Sequence, residues 1–543
     1  MRGLIGRAGV LVVGVFASML AVAAEPEAVP GEFIVKMRDG VSVQANQKAA
    51  LSQELGAYVK SVLPDQNIVV VKRPVFEIST LAVKSMAQNP NVEIVEPNYI
   101  YRANRLPNDP SLGLLWGLRN IGQKDSSNQV GVAGVDIGAE QAWDIETGNP
   151  NTLIAVIDTG VDYNHPDLKA NVWTNEAEAN GKAGVDDDNN GFIDDIHGYD
   201  FANNDGDPMD DQGHGSHCSG TIAGKGDDGA GIVGVAWNAK IMGVKFLTAE
   251  GSGTLENALK SIDYATKMGA KIMSNSWGGG GASETLKAAI QRSHEAGALF
   301  VAAAGNSAMN NDSSPSYPAS YNVPNVLSVA AIDNKGAIAS FSNYGRNSVH
   351  VGAPGVNIYS STGGAYDSWS GTSMACPHVS GIAALVVSHE PNLTNVEIKE
   401  RIIATARPIA GLRGKVKSGG LANAYLALTN TVPQPDPNDP SRWAFQAVSI
   451  SSEHNYKEKT NQTFEVKIAG AKEIALYFSK FETEAGYDFV KIYDANGKQV
   501  QSLSGNNSDS WSIAIAGDYA RIVLTSDDSV NGYGFDITKV AYR

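Results

Sequence analysis

Between residues 106 and 430, short apolar runs alternate with segments of helical periodicity. The apolar runs have the length of strands, and they occupy residues 153–157, 241–246, 271–274, 299–303 and 326–331. Segments with a helical period, such as 255–268 and 283–294, lie between them. Strands that are apolar on both faces and separated by helices are typical of parallel sheets. The region is therefore predicted to be α/β, a parallel sheet with helices on both faces.

A smaller unit with a different pattern precedes this region, at residues 25–105. Strand-like runs at 33–35 and 68–71, helix-like segments at 47–58 and 78–87, and an alternating stretch at 91–101 predict a small α+β domain. A domain of this size buries little surface and is marginal in stability on its own.

The chain changes character again after residue 430. Residues 431–441 read TVPQPDPNDPS, and their four prolines predict a stiff, extended linker. Residues 442–543 carry short alternating runs separated by Asn, Asp and Gly turns, at 463–468, 474–478, 489–493 and 520–524. This pattern predicts a C-terminal antiparallel β-sandwich.

The first 24 residues have the form of a secretory signal peptide. Arg2 and Arg7 give a basic start, residues 8–20 are apolar, and small residues lead to a cleavage site after Ala23 or Ala24. The apolar stretch is short for an N-terminal membrane anchor, and no later segment is apolar for long enough to span a bilayer. We therefore expect a secreted, extracellular protein without a membrane span.

Composition narrows the possible partners. The formal net charge is −16, from 42 basic and 58 acidic residues, and no basic patch is evident. Nucleic acid is therefore not expected as a partner, because phosphate binding needs clustered Lys and Arg. The only two cysteines, Cys218 and Cys376, cannot form a disulfide framework, although a single bond between them stays open. We expect a monomer.

Four short motifs in the α/β region carry candidate chemistry. AVIDTG places Asp158 at the end of a strand, and AAAGNS places Asn306 after another. GHGSHCSG and SGTSMACPHVSG place His214 and Ser373 at the heads of helices. Alone, each residue is commonly a turn or cap residue. Together they supply a nucleophile, a base, an orienting carboxylate and an amide donor at the sheet edge where parallel folds place their sites.

The order of these four residues and their surroundings resembles the subtilisin-like serine proteases (subtilases). The resemblance covers nearly all of residues 106–430, and the segment HGSHC is closest to the thermitase and proteinase K branches. It implies a serine endopeptidase that cleaves protein and peptide substrates through an acyl-enzyme.

The resemblance gives each of the four residues a role. Ser373 is the nucleophile, and His214 is the base that its weakly acidic hydroxyl needs. Asp158 orients the imidazole and stabilises the imidazolium. The side-chain amide of Asn306 and the backbone N–H of Ser373 donate to the oxyanion of the tetrahedral intermediate.

Two other functions fit the sequence less well than a serine endopeptidase. A serine esterase of the α/β-hydrolase type has its nucleophile in G-x-S-x-G and the order Ser, Asp, His, whereas this chain has GTSMA and the order Asp, His, Ser. An inactive peptide-binding relative would not need all four residues, yet Asp158, His214, Asn306 and Ser373 are all present.

The resemblance also implies the residues that bind substrate. Two segments would clamp the peptide as an added strand: Gly251, Ser252 and Gly253, and Ser276, Trp277 and Gly278. The primary pocket would be lined by Ala303, Ala304, Gly305 and Ser316. None of these residues is acidic, so we expect broad specificity that favours large apolar residues before the cut.

Three acidic sets in the α/β region are candidate sites for structural Ca²⁺. The first two match calcium sites of the family, namely Asp109, Asp167 and Asp227, and in DFANNDGDP Asp200, Asn203, Asp205 and Asp207. The third set is inferred from its own motif and not from the family resemblance. Its sequence, D-x-D-x-N-G-x-I, matches the first two-thirds of an EF-hand loop. It offers Asp186, Asp188 and Asn190, with Asp194 or Asp195 to close it. Hard oxygen ligands of this kind suit Ca²⁺.

The flanking domains resemble known modules as well. Residues 25–105, ending in EIVEPNY and a short tail, resemble the inhibitor-type propeptide of subtilases. That implies a zymogen whose propeptide inhibits the enzyme and is cut by Ser373 within about residues 101–108. In residues 442–543, FETEAGYDFVKIYDANG and LTSDDSVNGYGFDI resemble CUB domains, which often hold calcium where Glu482, Asp488 and Asp527 fall here.

Overall fold

A computed structural model describes residues 28–73, 79–99, 106–434 and 438–543. The predicted signal peptide at 1–24 lies outside the described residues. So do residues 101–105 of the predicted cleavage region and residues 435–437 of the predicted linker. The chain divides into two compact units, Met1–Asn104 and Arg105–Arg543, and each is described by itself.

The N-terminal unit is a four-stranded antiparallel sheet with two helices. Its strands are β1 (Ala28–Met37), β2 (Tyr58–Leu63), β3 (Ile68–Lys72) and β4 (Val92–Tyr99), in the sheet order β2-β3-β1-β4. Its helices are α1 (Lys48–Leu55) and α2 (Ser79–Ala87). Leu51 and Met86 from the helices pack against Phe33, Val35 and Val69 of the sheet. The predicted α+β architecture is confirmed.

One boundary prediction in this unit is wrong. The helix expected over 47–58 ends at Leu55, because Gly56 adopts the left-handed conformation (φ 59°) and its N–H bonds to the carbonyl oxygen of Ser52. The chain then forms β2, which begins at Tyr58 and was not predicted.

The second unit contains a nine-stranded sheet and a separate hairpin. Its strands are β5 (Leu153–Asp158), β6 (Gly198–Asp200), β7 (Lys240–Lys245), β8 (Ile272–Asn275), β9 (Leu299–Ala303), β10 (Val326–Ile332), β11 (Val351–Pro354), β12 (Ile358–Ser361), β13 (Tyr366–Trp369), β14 (Arg407–Pro408) and β15 (Gly420–Leu421). The sheet order is β14-β15-β11-β10-β9-β8-β5-β7-β6, parallel throughout except for β14 against β15. β12 and β13 form the hairpin.

Helices cover both faces of this sheet, as predicted. They are α3 (Ala139–Trp143), α4 (Glu176–Ala179), α5 (His214–Ala223), α6 (Leu255–Lys267), α7 (Glu284–Glu295), α8 (Thr372–His389), α9 (Asn395–Ala404) and α10 (Ala424–Leu428). Alternate residues of β5 belong to two different cores. Ile154 and Val156 pack with α5 and α8, whereas Ala155 and Ile157 pack with α6 and α7. Both faces of β5 are therefore buried.

Residues 438–543 form two antiparallel sheets packed face to face. Their strands are β16 (Ala444–Ser451), β17 (Asn461–Lys467), β18 (Glu473–Glu482), β19 (Phe489–Tyr493), β20 (Gln499–Leu503), β21 (Ser510–Trp511), β22 (Ile515–Ala516), β23 (Tyr519–Thr525) and β24 (Gly534–Tyr542). One sheet has the order β16-β24-β18-β21, with β22 also on β18, and the other has the order β17-β23-β19-β20. Ile474, Phe478 and Ile522 are in the core between them. The predicted β-sandwich is confirmed.

Among the described residues, no helix is long and apolar enough to cross a membrane.

The sheet topology sets the place of a site. β5 lies between β7 and β8, third from one edge of the sheet, and the chain leaves it first toward β6 and β7 on that side and then toward β8 and β9 on the other. Parallel α/β sheets bind their ligands at the carboxyl ends of strands where the strand order reverses. Asp158 is the last residue of β5 and lies at this point.

Candidate active site

Asp158 and His214 are in direct contact at the carboxyl end of β5. His214 Nδ1 and Asp158 Oδ1 lie 2.7 Å apart, and the same oxygen accepts the backbone N–H of Thr159. The Asp158 side chain is fully buried, whereas His214 keeps about a fifth of its side chain exposed. One end of the imidazole is therefore held by a carboxylate while the ring remains open to a ligand.

The start of α5 is bound tightly to the end of β5. Gly215 donates its N–H to Thr159 Oγ1, and the Thr159 hydroxyl donates to Asp210. A methyl group on Gly215 would lie 2.0 Å from the carbonyl oxygen of Gly160, so only glycine permits this approach. The close approach of α5 to the end of β5, which brings His214 to Asp158, therefore requires glycine at position 215.

Ser373 is the second residue of α8 and faces the same cleft as His214. Its hydroxyl donates to the carbonyl oxygen of Ser276 at 3.0 Å rather than to His214. The Ser276 hydroxyl in turn donates to the carbonyl oxygen of Ser373. Catalytic hydrogen bonds are often long or poorly aligned without substrate, so this geometry is compatible with Ser373 as a candidate nucleophile.

Asn306 follows β9, and its side chain is oriented by α8. Asn306 Oδ1 accepts hydrogen bonds from the backbone N–H and the hydroxyl of Thr372, at 2.8 and 2.9 Å. The contacts with Thr372 use only the side-chain oxygen of Asn306 and do not involve its NH₂. A methyl group on Gly371 would lie 3.6 Å from Asn306 Nδ2 and 3.5 Å from the backbone N of Ser373. Asn306 Nδ2 and the backbone N of Ser373 therefore both lie on the same side of Gly371.

The charges around His214 favour its protonated form. Burial of the ring opposes protonation, but the negative charge of Asp158, the hydrogen bond to it and the charge of Asp210 outweigh burial and raise the pKa of His214. His217, one turn along α5, behaves differently. Burial lowers its pKa to about 4, its Nε2 bonds to the carbonyl oxygen of Ile358, and its ring stacks on Trp369.

Both cysteines are free and buried behind these residues, so the bond left open between them is not formed. Cys218 Sγ lies 3.5 Å from the carbonyl oxygen of Ser373. Burial raises the pKa of both thiols, which are therefore protonated at neutral pH.

A cleft of about 740 Å³ joins the catalytic candidates to most of the predicted substrate residues. It is lined by His214, Asn306 and Ser373, and by Gly251, Ser252, Gly253, Ser276, Trp277, Gly278, Ala303, Gly305 and Ser316. Ala304 is not at its surface; this residue is fully buried behind Gly305. Among the described residues, no carboxylate lines the cleft.

Several lining residues were not foreseen from the sequence. The run of glycines continues to Gly281, and the apolar side chains of Phe246, Leu255 and Leu286 also face the cleft. Gln212 lines it too, and its side-chain carbonyl oxygen accepts the backbone N–H of His214. The repeated glycines were a visible signal, whereas the apolar residues follow strand β7 or belong to helices α6 and α7, which look like ordinary core-facing elements in the sequence.

Asp109 and Asp167 are buried, and each has one oxygen without a hydrogen-bond partner, Oδ1 in both cases. Their other oxygens are used: Asp109 Oδ2 accepts the N–H of Asp227, and Asp167 Oδ2 accepts the N–H of Ile232. Burial raises the pKa of both carboxyls. Bare carboxylate oxygens in a buried position fit a cation.

The EF-hand-like loop lies against a further acidic residue, Glu178, which the sequence did not indicate as a candidate ligand. Oxygens of Asp186 and Asp188 come within 4.8 Å of one another and of Glu178, which is buried at the end of α4. Glu178 also accepts the N–H groups of Asp187 and Asp194, so it holds the loop from inside. Asp194 instead turns its side chain to the N–H of Gly184, and Asn190 donates its amide to Asp188 and Asp195.

In the second acidic set, Asp200 and Asp205 accept hydrogen bonds from backbone N–H groups of their own loop. Asp200 accepts the N–H groups of Ala202 and Asn203 and the side-chain amide of Asn203. Asp205 accepts the N–H of Asp207, and Asp207 accepts the hydroxyl of Tyr163. Among the described residues, these carboxylates are not in any group of three whose oxygens come within 4.8 Å of one another.

In the C-terminal domain, the structure corrects one predicted ligand. Asp488 and Asp527 come together with Glu484, not with Glu482. Glu482 is the last residue of β18, and its carboxylate points to Lys480 instead. Glu484 lies in the loop beyond the strand, and its Oε2 is buried without a hydrogen-bond partner.

Three protein-family models match successive parts of the chain. The subtilase family model matches residues 149–439, a fervidolysin N-terminal prodomain model matches residues 17–98, and a CUB domain model matches residues 444–538.

A thermophilic serine proteinase from Bacillus sp. (strain AK1) is 39% identical over 405 residues, which cover 74% of this chain and 88% of the relative. Thermitase from Thermoactinomyces vulgaris is 39% identical over 293 residues, which cover 54% of this chain and 93% of thermitase. A crystal structure of a cold adapted subtilisin-like serine proteinase, 30% identical, covers 57% of this chain and 97% of its own, with a TM-score of 0.44. The chain therefore belongs to the subtilase family of serine proteases, with an N-terminal prodomain and a CUB domain.

Proposed function

We propose that this protein is a secreted, calcium-stabilised serine endopeptidase with Asp158, His214 and Ser373 as its catalytic triad. The observation that carries the proposal is the 2.7 Å contact between His214 and the buried Asp158, in a cleft that also holds Ser373 and Asn306. Hydrolysis of casein that is blocked by a serine-directed inhibitor tests it. A protein that cleaves simple esters and leaves casein intact would contradict it.

The proposed reaction follows from the acid–base character of these groups. His214 takes the proton of the Ser373 hydroxyl as the oxygen attacks the peptide carbonyl, and the same proton then goes to the leaving amine. Asp158 keeps the imidazole in the tautomer whose Nε2 is free to accept a proton, and stabilises the imidazolium. Water repeats the sequence on the acyl-enzyme and releases the acid.

The tetrahedral intermediates carry a negative oxygen, and two donors are in place for it. The space between Asn306 Nδ2 and the N–H of Ser373 is the proposed oxyanion hole. Ser373 lies in the first turn of an 18-residue helix, α8, whose N-terminus adds a favourable partial positive charge. Because Thr372 fixes Asn306 beforehand, the donors need little reorganisation as charge develops.

The pH dependence of activity should report the raised pKa of His214. The base must be neutral to accept the proton of Ser373, so activity rises as pH increases through this pKa. Because Asp158 and Asp210 hold the pKa above its ordinary value of 6.5, we expect the acid limb of kcat/KM to have its midpoint above pH 6.5. A profile measured with a neutral peptide substrate checks this, and a midpoint at or below 6.5 would contradict it.

The lining of the cleft supports a preference for large apolar residues before the cut. The described residues that line it include glycines, apolar side chains, several hydroxyl residues and Gln212, and none of them is a carboxylate that could pair with Lys or Arg. We expect kcat/KM for Phe, Leu or Tyr at this position to exceed that for Lys or Asp by about tenfold or more, because a buried, unpaired charge is costly. Cleavage of a peptide library with mass-spectrometric readout measures it.

Ser316→Asp provides the control for this specificity. Placing a carboxylate in the pocket should raise cleavage after Lys and Arg, while Ser314→Asp, outside the lining, should not. A strict requirement for Arg or Lys in the unmodified protein would overturn the apolar assignment.

Three of the predicted calcium sites retain support. Asp109 and Asp167 each have a buried oxygen without a hydrogen-bond partner among the described residues, and the backbone N–H of Asp227 donates to the other oxygen of Asp109. Glu178, Asp186 and Asp188 would hold an ion in the EF-hand-like loop, and Glu484, Asp488 and Asp527 one in the CUB domain. We leave out the set of Asp200, Asn203, Asp205 and Asp207, because among the described residues its carboxylates neither form a group of three with oxygens within 4.8 Å of one another nor keep a buried oxygen without a hydrogen-bond partner.

Removing calcium is expected to destabilise the protein. An ion present at one hundred times its Kd adds about 2.7 kcal/mol to the free energy of unfolding, so EDTA should lower Tm by roughly 5–10 °C per such site. The measurement is best made in a Ser373→Ala background, where self-digestion cannot interfere. Asp167→Asn should reduce the response to calcium, whereas Asp205→Asn should leave it unchanged. An identical Tm in calcium and in EDTA would contradict the proposal.

The prodomain makes the protein a zymogen, and we propose that it covers residues 25–105 and is released by Ser373. Residues 106–430 would be the catalytic domain, 431–441 the linker and 442–543 the CUB domain. The basic, apolar and small-residue order of residues 1–24 supports secretion of the chain. The prodomain would act as an intramolecular inhibitor until the cut is made.

A further inference from the structure

The turn that carries Asn306 leaves the sheet at Ala304. The last sheet hydrogen bond of this segment is donated by the N–H of Ala304 to Val329, and Asn306 itself is exposed. Beyond Ala304 the backbone has left the β9–β10 ladder. Apart from the bond that the N–H of Asn343 donates to Gly305, its remaining backbone bonds to the facing segment are those of Ala308 N–H to Phe341 and of Tyr344 N–H to Met309, both C-terminal to Asn306. A donor on an unsupported turn would move with it, and oxyanion stabilisation depends on donors that are fixed in advance.

Several backbone groups of this turn are hydrogen-bonded to one side chain, that of Asn343. Asn343 Oδ1 accepts the N–H groups of Ser307 and Met309, at 2.9 and 3.0 Å. Its Nδ2 donates to the carbonyl oxygen of Ala304 at 3.1 Å, and its own N–H donates to that of Gly305 at 2.8 Å. The contacts thus lie on both sides of Asn306 in the chain.

A second amide completes the support. Asn311 Nδ2 donates to the carbonyl oxygen of Ala304 at 2.9 Å, and Asn311 Oδ1 accepts the Nδ2 of Asn343 at 3.0 Å. Asn343 is 3% exposed and Asn311 is 1% exposed, so water does not compete for these bonds. Gly305 packs directly on this pair: its φ is 111°, and a methyl group there would lie 2.5 Å from Asn343 Nδ2.

We infer that Asn343 is a positioning residue for the oxyanion hole. It acts through Asn306, and the inference rests on the proposed oxyanion role of that residue. Thr372 on α8 holds the side-chain carbonyl of Asn306 and also accepts the N–H of Gly305. Asn343, with Asn311 behind it, holds the backbone on both sides of Asn306, at Ala304 and from Ser307 to Met309. Asn343 does not line the cleft, so it stabilises the transition state without touching substrate.

Asn343→Ala in the full, processed enzyme tests this inference. A misplacement of a catalytic group by a fraction of an ångström to one ångström costs up to about a hundredfold in rate, so we expect kcat to fall about tenfold to a hundredfold while KM changes less than about threefold. Affinity for a peptide aldehyde, whose adduct with Ser373 places an oxyanion in the hole, should fall by a similar factor. In an Asn306→Ala background, the same substitution should lower kcat by less than about twofold, because the group it positions is gone.

Asn325→Ala is the matched control for loss of stability. Asn325 is also a fully buried asparagine whose side-chain amide donates to Ser293 and to the carbonyl oxygen of Ala298, but it lies just before β10, at the opposite end of the sheet from the cleft. Both variants should lose Tm, and only Asn343→Ala should lose kcat when assayed well below its own Tm. If Asn343→Ala does not fold, Asn311→Ala removes one of the two bonds to Ala304 and should lower kcat in the same direction by about threefold to tenfold.

The outcomes separate the inference from its basis. A folded Asn343→Ala enzyme with unchanged kcat, beside a slow Asn306→Ala enzyme, overturns the positioning role alone. A full effect of Asn343→Ala in the Asn306→Ala background does the same. If Asn306→Ala itself keeps the original kcat, the oxyanion role of Asn306 fails, and the positioning role of Asn343 falls with it.

Discussion

Ser373→Ala is expected to abolish proteolysis and to leave the prodomain attached to the purified chain. Ser373 and His214 line the same cleft, and without the Ser373 hydroxyl the proposed acyl-enzyme cannot form. Loss of a triad residue reduces kcat by roughly six orders of magnitude, a magnitude that belongs to subtilisin, a member of the same family. Casein hydrolysis, electrophoresis and N-terminal sequencing measure the two effects.

Ser370→Ala is a suitable control for this variant. Ser370 is in the same motif and its hydroxyl accepts the N–H of Asn357, but it lies outside the set of catalytic residues. It should be processed and active. Ser373→Ala protein that is incubated with active enzyme should be cut between about residues 101 and 108. Release of the prodomain from Ser373→Ala alone, in a host without other proteases, would contradict self-processing.

Asn306→Ala is expected to lower kcat by about two to three orders of magnitude with little change in KM. That range also comes from subtilisin, where one oxyanion-hole donor was removed. The physical reason lies in the contacts of Asn306: its carbonyl is held by Thr372, and its NH₂ lies on the same side of Gly371 as the backbone N of Ser373. The donor thus serves a charge that exists only after attack, so ground-state binding should be nearly unaffected.

The steady-state kinetics of Asn306→Ala should be compared with those of Asn310→Ala. Asn310 belongs to the same loop, and its side chain accepts only the N–H of Asp312, away from the cleft. It should keep kcat within about twofold. A rise in KM without a fall in kcat for Asn306→Ala would place Asn306 in substrate binding rather than in stabilisation of the oxyanion.

Much of the fold and of the site could be read from local sequence. The strands apolar on both faces, such as β5 and β9, predicted the parallel sheet, because burial on both sides removes polar residues from them. The candidate catalytic residues could be found because each follows a strand or begins a helix within a short motif. β2 was missed because it lies at the edge of its sheet and half of its residues are exposed, which weakens its apolar pattern. β6 was missed because it has only three residues.

Residues that act through long-range contacts could not be predicted. Glu178 is separated from Asp186 by eight positions and belongs to a short helix with no metal-binding motif. Glu484 was missed in favour of Glu482 because the end of β18 decides which carboxylate faces Asp488. Asn343 is a plain asparagine in the sequence, and its importance depends on the path of the backbone from Ala304 to Met309.

The most direct test of the account is to locate a serine-directed inhibitor on the chain. The processed enzyme would be titrated with a fluorophosphonate, and the adduct mapped by mass spectrometry while casein hydrolysis is followed in the same samples. We predict one adduct per chain, on Ser373, with activity lost in proportion to labelling, and no adduct in His214→Ala. Casein hydrolysis that persists after complete labelling of Ser373, or that is lost through an adduct at another residue, would contradict it.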